Sequence, residues 1–396
     1  MVSISSPLLI MNNICDEFFR PNLRVRSRIL PTFKVCGYTG LALAIALSMS
    51  LVGYRGLALW VMVAIVVTAV ITFFALAMAT KIVTGTEQLV YYHHEIAVLT
   101  VTTLLLLALR QPVLAYLDNT ILGVGAFLAC GRVGCLLVGC CHGRPHPWGV
   151  RYGAEHAAAG FPAHYVGVRL FPIQAIESAW VACVVTVGAV VVLRGGPPGA
   201  ALAWYVLAYD VGRFVFELAR GDADRPYHAG FSEAQWLSLV LTASLAAAEL
   251  RGLVPLTAWH VAVAAASAAV ALGIAVHRRW RPAEGRDLLQ PQHVAEVARA
   301  LAVTRQPALP SRVAVAHTSL GLRISGGQIA DDSTCTANYT LSRSGAALSE
   351  RAAERLARLI LQLTHATGSA QLIHGQASVF HLLVRTPAPA RKGAEP

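Results

Sequence analysis

Charge is what this sequence has least of. Asp, Glu, Lys and Arg make up 13% of its 396 residues, against roughly a quarter in an ordinary soluble domain. With 56% hydrophobic residues and long apolar runs, the deficit excludes a soluble protein for most of the chain and points to repeated crossing of a membrane. Regular cysteine spacing is also missing. The eight cysteines comprise four scattered residues (Cys15, Cys36, Cys183, Cys335) and four between Cys130 and Cys141, so no structural disulfide framework is expected. The first thirty residues hold Asp16, Glu17 and several arginines before any long apolar run, which is not the pattern of a cleavable signal peptide. Internal repeats are absent.

The net charge of +11 does not imply nucleic acid. Basic residues beside membrane spans meet anionic lipid headgroups, and no nucleic-acid partner is expected. Residues 1–34 read as a polar arm carrying Arg20, Arg24, Arg26, Arg28 and Lys34. A membrane region follows over 35–280, with spans near 35–54, 57–80, 88–109, 119–141, 171–193, 198–218, 235–252 and 257–277. The fold class is thus an all-α polytopic membrane protein of seven to eight transmembrane helices, with a small C-terminal α+β soluble domain. Residues 281–311 read as a linker, 312–386 as that domain in the order β-β-α-β, and 387–396 as a disordered tail. In the small domain Gly326-Gly327 reads as a turn, and Ala346 to His365 as an amphipathic helix with Leu348, Ala352, Leu356, Leu359, Ile360 and Leu363 on one stripe.

The chemistry concentrates in one stretch, Ala126 to Tyr152. It begins as an apolar glycine-studded helix and ends as a polar loop. Arg132 lies among residues that otherwise read as helix in lipid, where an ionisable side chain marks a functional site by default. Cys135, Cys140, Cys141, His142, Arg144, His146 and Arg151 follow. No pair of metal-ligand motifs completes four-coordination here, so no metal is expected. A thiolate at Cys140, its pKa lowered by Arg132 or Arg144, is a candidate nucleophile. A second constellation is Tyr209-Asp-Val-Gly-Arg213-Phe-Val-Phe-Glu217-Leu-Ala-Arg220-Gly-Asp222. Arg213 and Glu217, and Glu217 and Arg220, share a helix face at i,i+4 and i,i+3. They form either a self-neutralising ladder or two arginines held by carboxylates and aimed at a phosphate, which the planar guanidinium fork suits. Tyr91-Tyr92-His93-His94-Glu95 offers histidines near a carboxylate, and Gln174 and Glu177 share a face of the fifth span.

The segment Gly131-Arg-Val-Gly-Cys-Leu-Leu-Val-Gly-Cys-Cys-His-Gly143 resembles the signature of the prolipoprotein diacylglyceryl transferases. Arg213-Phe-x-x-Glu217-x-x-Arg220, Phe231-Ser-Glu-Ala-Gln235-Trp-Leu-Ser238 and Phe171-Pro-x-Gln174-x-x-Glu177 look like further motifs of that family, in the same order. His93 or His94 lies where the family's histidine would be. Cys135 replaces a family Asn, Cys140 falls on a family Glu, and Phe171 and Ile176 replace a His and a Tyr.

The resemblance implies transfer of a diacylglyceryl group from phosphatidylglycerol to the lipobox cysteine of a prolipoprotein, in the bacterial cytoplasmic (inner) membrane and without a cofactor. Arg132 and Arg213 would stabilise the leaving phosphate, His93 or His94 would assist thiol ionisation, and Glu217 and Glu177 would hold the arginines. Arg144, Gln174, Arg220, Gln235, Cys135 and Cys140 would line the substrate site. The count of Lys and Arg puts the Arg132 loop in the cytoplasm, whereas the family places it outside. Two alternatives stay open: the same fold with a different lipid donor or acceptor reacting through Cys140, or a non-catalytic lipid-binding sensor whose C-terminal domain reports on the membrane site.

Overall fold

In a computed structural model, the structure describes residues 19–85, 90–223, 225–280, 285, 287–304, 314–330, 334–364, 366 and 368–387. The stretch 388–396, expected as a disordered tail, and most of the expected linker's ends lie outside them.

A hairpin of β1 (Asn22–Val25) and β2 (Arg28–Pro31) leads into α1 (Thr32–Tyr54). Then come α2 (Leu59–Thr84), α3 (Tyr91–Ala108) and α4 (Val113–Val138). Past a loop layer come α6 (Ile173–Leu193), α7 (Ala200–Ala219), α8 (Glu233–Leu250) and α9 (Ala258–Trp280). The protein is mostly helical, and five of these helices, α1, α2, α4, α6 and α9, are long and apolar enough to cross a membrane. The other three carry the buried charged groups Glu95, Asp210, Arg213, Glu217 and Glu249, which lowers their hydropathy.

Helix α4 is the central post, packed on α1, α6 and α7. Small residues let it approach α1: a Cβ on Gly123 would stand 2.3 Å from Ser48 Oγ and 3.1 Å from the Ala44 carbonyl. Close packing of this kind is the usual way membrane helices associate. Asp118, inside α4, is buried at the opposite end from the motif, where it accepts the Gly199 and Leu202 amides at 2.9 Å and faces Arg55 at 3.6 Å. It thereby caps the first turn of α7, where the helix dipole favours an anion.

The loop layer holds β3 (Pro145–Arg151), a short helix α5 (Ala154–Ala158) and β4 (Arg169–Leu170). Backbone hydrogen bonds tie its three strands of chain together: Gly143 to Phe171, Phe171 to Arg144, Arg144 to Ala219, and Gly221 to His142. A two-residue ladder of β5 (Tyr227–His228) and β6 (Phe231–Ser232) precedes α8, whose start is fixed by a capping box between Ser232 and Gln235.

The C-terminal region departs from the β-β-α-β expectation. Inside the expected linker stands α10 (Pro291–Thr304); Pro291 opens it at the position where proline's missing N–H costs nothing. The first strand-like run is two strands, β7 (Val315–His317) and β8 (Leu322–Ala330), broken at Thr318–Gly321. Gly326 and Gly327 lie within β8, paired with Tyr339 and Asn338 of β9 (Thr334–Arg343), so they are not a turn. After α11 (Glu350–Thr364), the last run is a hairpin of β10 (Ser369–His374) and β11 (Phe380–Pro387). The antiparallel order is β10-β11-β9-β8-β7. The stripe Ala352, Leu356, Leu359, Ile360 and Leu363 is buried, as the spacing required.

The core of this sheet is continuous with the loop layer. Leu322, Ile324, Tyr339, Leu341, Leu356 and Ile360 belong to one hydrophobic cluster with Val294 and Leu301 and with Tyr152, Phe161, Tyr165, Val168 and Leu170. His164 sits at this seam. Burial, then the charge of Arg299, lower its pKa from the ordinary 6.5 to about 4. Because the folded-state pKa is depressed, the stabilisation is complete above about 6.5 and fades as pH falls toward about 4. Acidification from pH 7 to pH 4 is therefore expected to speed amide exchange in α10, after correction for intrinsic rates. The His164→Gln protein should show a flatter pH profile; an unchanged profile would refute the role of His164.

Candidate active site

Arginines from two helices converge on one carboxylate from a third. Glu177 is on α6, one turn in from the Phe171-Pro172 corner. Arg213 Nη1 of α7 donates to both of its oxygens, at 3.0 and 3.1 Å. Arg132 Nε of α4 stands 3.1 Å from Oε2, close enough for an ion pair but without hydrogen-bond alignment. Arg220 Nη1, just past the end of α7, is 3.9 Å from the same oxygen. Tyr209 adds its hydroxyl to Oε1 at 3.3 Å. All five residues are buried, Arg220 and Glu177 completely.

Two more carboxylates extend the cluster. Glu217 pairs with Arg213 Nη2 at 2.7 Å, one helical turn away, and accepts the Ser232 hydroxyl at 2.9 Å and Arg225. Asp222 holds Arg220 in a fork, 2.8 and 3.1 Å, and pairs with Arg225 at 2.6 Å. Burial alone would raise the Asp222 pKa, but Arg220 and Arg225 hold it well below the usual carboxylate range. Four guanidiniums thus face three carboxylates, an excess of one positive charge.

The cysteines stand beside that excess. Helix α4 ends at Val138, short of the expected 141, because Gly139 takes a left-handed φ of 85°. Cys141 follows at φ 55°, a conformation that costs a non-glycine residue roughly 1 kcal/mol or more. The two turns fold Cys140 and Cys141 back onto Cys135, and the three sulfurs lie within 4.8 Å of one another. Hydrogen bonding with Cys135 and Cys141 pushes the Cys140 thiol far up, contrary to the thiolate expected there. The low thiol is Cys141, held well below its ordinary range by hydrogen bonds from Cys135 and Cys140, with Arg220 and Arg132 beside it.

The remaining expected residues fall as follows. Gln174 donates to the Cys140 carbonyl at 2.9 Å and so pins the motif turn to α6. Gln235 caps α8 and donates to the Phe214 carbonyl at 3.2 Å, holding the α7–α8 corner. Arg144 is exposed and donates to the Arg220 carbonyl at 3.2 Å. His93 pairs with Glu233 at 2.8 Å. His94 is buried against Phe73, and neither of its ring nitrogens has a hydrogen-bond partner. Among the described residues, no hydrogen bond or ion pair of His93 or His94 reaches the arginines. Their turn meets the cluster through Tyr91 and Tyr92, whose rings contact Tyr209 at centroid distances of 5.2 and 5.9 Å. Asp222, Arg225, Ser232 and Cys141 were not among the expected site residues. The i,i+3 spacing of Asp222 and Arg225 was the one signal available for the first two.

This is a helical membrane protein with a buried arginine–carboxylate cluster at the end of its central post. Residues 53–249 match the family model of prolipoprotein diacylglyceryl transferase, the family the motifs resemble. Phosphatidylglycerol–prolipoprotein diacylglyceryl transferases are among its relatives. Those of two Dehalococcoides mccartyi strains are 31% identical over 127 residues, covering 32% of this chain and 47% of theirs. One from Clostridium tetani is 30% identical over 129 residues, 32% and 49% respectively. The chain spans about half the length of the curated relatives it matches.

Removing the charge of Glu177 leaves Arg132 without a carboxylate partner in a buried site and takes from Arg213 and Arg220 one of the carboxylates each faces. Breaking one side of a buried ion pair costs about 3–5 kcal/mol. Glu177→Gln is expected to lower unfolding free energy by that order in detergent denaturation. A loss under about 1 kcal/mol, the scale of an exposed pair, would show that Glu177 does not organise the cluster.

Proposed function

We propose that the protein is a multi-pass enzyme of the bacterial cytoplasmic membrane that moves the diacylglyceryl group of phosphatidylglycerol to a cysteine thiol of a prolipoprotein. The observation that carries this reading is the meeting of Arg132 and Arg213, from separate helices, on one buried carboxylate. Helices α3, α7 and α8 join the five apolar helices as spans, giving eight, since each buries ionisable groups within the bundle: Glu95, Asp210, Arg213, Glu217 and Glu249.

In the reaction the acceptor sulfur attacks the glycerol carbon that bears the phosphate ester. The C–O bond breaks, a thioether forms, and glycerol phosphate leaves with the electron pair. Negative charge grows on the phosphate oxygens, and fixed guanidiniums in a water-poor site stabilise it without reorganising. Glu177 and Glu217 hold the forks in place before substrate arrives. The acceptor thiol must lose its proton. His93, half-exposed beside Glu233, serves that step at the rim more readily than buried His94. Arg144, Gln174, Arg220 and Gln235 shape the headgroup site through the backbone contacts described above.

The test uses purified protein in vesicles containing phosphatidylglycerol, with a lipobox peptide as acceptor. Arg132→Ala and Arg213→Ala should each cut transfer at least about a hundredfold, the loss seen when one oxyanion donor is removed. Arg213→Lys keeps the charge but loses the fork, and should fall between. Full activity in both alanine variants, with unfolding temperatures unchanged, would reject the mechanism.

A further inference from the structure

We infer that Cys135, Cys140 and Cys141 form a binding site for one thiophilic divalent cation, with zinc as the physiological type. This inference is independent of the lipid reaction. The three sulfurs come from the last turn of α4 and the turn after it, and they lie within 4.8 Å of one another. Zinc–thiolate bonds of about 2.3 Å place tetrahedral ligand sulfurs about 3.8 Å apart. The cluster therefore needs only a small inward shift to close on an ion. Cys135 is buried, Cys141 half-buried and Cys140 exposed, so the site has an anchored floor and an open side for entry. Three protein ligands with a fourth position free is a common zinc arrangement.

The backbone supports the same conclusion. Cys141 is one of six non-glycine residues at positive φ among the described residues. Together with Gly139 it turns two consecutive cysteines toward a third six residues upstream. A simple packing role for small apolar side chains does not require that conformation. Gln174 fixes the turn through the Cys140 carbonyl, and Tyr152 fixes the helix end through the Leu136 carbonyl.

Charge also closes. A divalent ion on three thiolates carries one net negative charge. The neighbouring guanidiniums exceed the carboxylates by one, and Arg132 and Arg220 are the cations that act on Cys141. Uptake is an exchange in which thiol protons leave to solvent as sulfur–metal bonds form, with no change of oxidation state. The bound ion would staple the motif loop to α4.

The experiment uses the full chain in detergent, under a non-thiol reductant and stripped of metal, titrated with Cd²⁺, Zn²⁺ or Co²⁺ alone. One equivalent of Cd²⁺ should produce the ultraviolet thiolate-to-cadmium charge-transfer band, and Co²⁺ the visible bands of a tetrahedral sulfur-rich site. Zinc should compete for both and raise the unfolding temperature. Cys135→Ser and Cys141→Ser should each weaken binding by at least about tenfold, the loss that even an outer-shell change can cause. Cys140→Ser, at the exposed ligand, gives the same reading with the least risk to folding. Cys183→Ser and Cys335→Ser, outside the cluster, should leave binding unchanged. Absence of the one-equivalent band in the reduced protein would overturn the proposal. So would equal binding by the Cys140→Ser protein, or an intact mass showing a disulfide among the three that persists under the reductant while no metal is taken up.

Discussion

The Glu177 carboxylate is the contact on which the rest of the site depends. It is buried at a junction of α4, α6 and α7 and takes charge from Arg132, Arg213 and Arg220. Ion pairs in such a place add little net stability, since removing both partners from water costs about as much as their attraction returns. What they give is a unique arrangement. Arg132, Arg213 and Arg220 come from separate stretches of chain and meet on this one carboxylate, and a stranded charge in hydrocarbon is far costlier than a lost apolar contact.

Secondary structure explains how the cluster is held in place. Its lower members are on helices, where the i,i+4 relation of Arg213 and Glu217 is set by the backbone. Its upper members, Arg220, Asp222 and Arg225, follow the end of α7 and have no helix to hold them. The loop layer supplies the restraint: Gly221 donates to His142, and Arg144 to Ala219. That layer in turn rests on the sheet and helices of the C-terminal region through a shared apolar core. A chain segment outside the matched 53–249 region thus buttresses the loops that carry the motif arginines.

Legibility from sequence followed the range of the interaction. The long apolar runs gave the helices, and the Arg213–Glu217–Arg220 and Gln174–Glu177 faces were visible because their spacing is helical. That Glu177 holds Arg132 and Arg213 follows from the family resemblance and not from any local pattern, since the three lie on different helices and no spacing encodes their contact. The thiol of lowered pKa is Cys141 and not Cys140, because a left-handed turn at Gly139, not helix periodicity, sets where each cysteine falls. In the C-terminal region, α10 was hidden by its proline and alanine content. Gly326-Gly327 reads locally as a turn, yet strands accept glycine where another chain segment approaches closely; a Cβ on Gly326 would stand 3.2 Å from Thr304.

The two ends of the membrane region show what separates a structural charge from a working one. Asp118 is buried, yet both of its oxygens accept backbone amides and Arg55 lies alongside; nothing is left for a ligand to complete. At the other end Arg220 is equally buried, but its Nη1 has no hydrogen-bond partner and stands 3.9 Å from the nearest carboxylate oxygen. A buried donor left unmatched costs about 1–3 kcal/mol, more when charged. A fold tolerates that cost where an incoming oxyanion makes the missing bond. The unmatched donor faces Glu177, beside Arg132 and Arg213, where the headgroup phosphate of the proposed reaction would supply the missing acceptor.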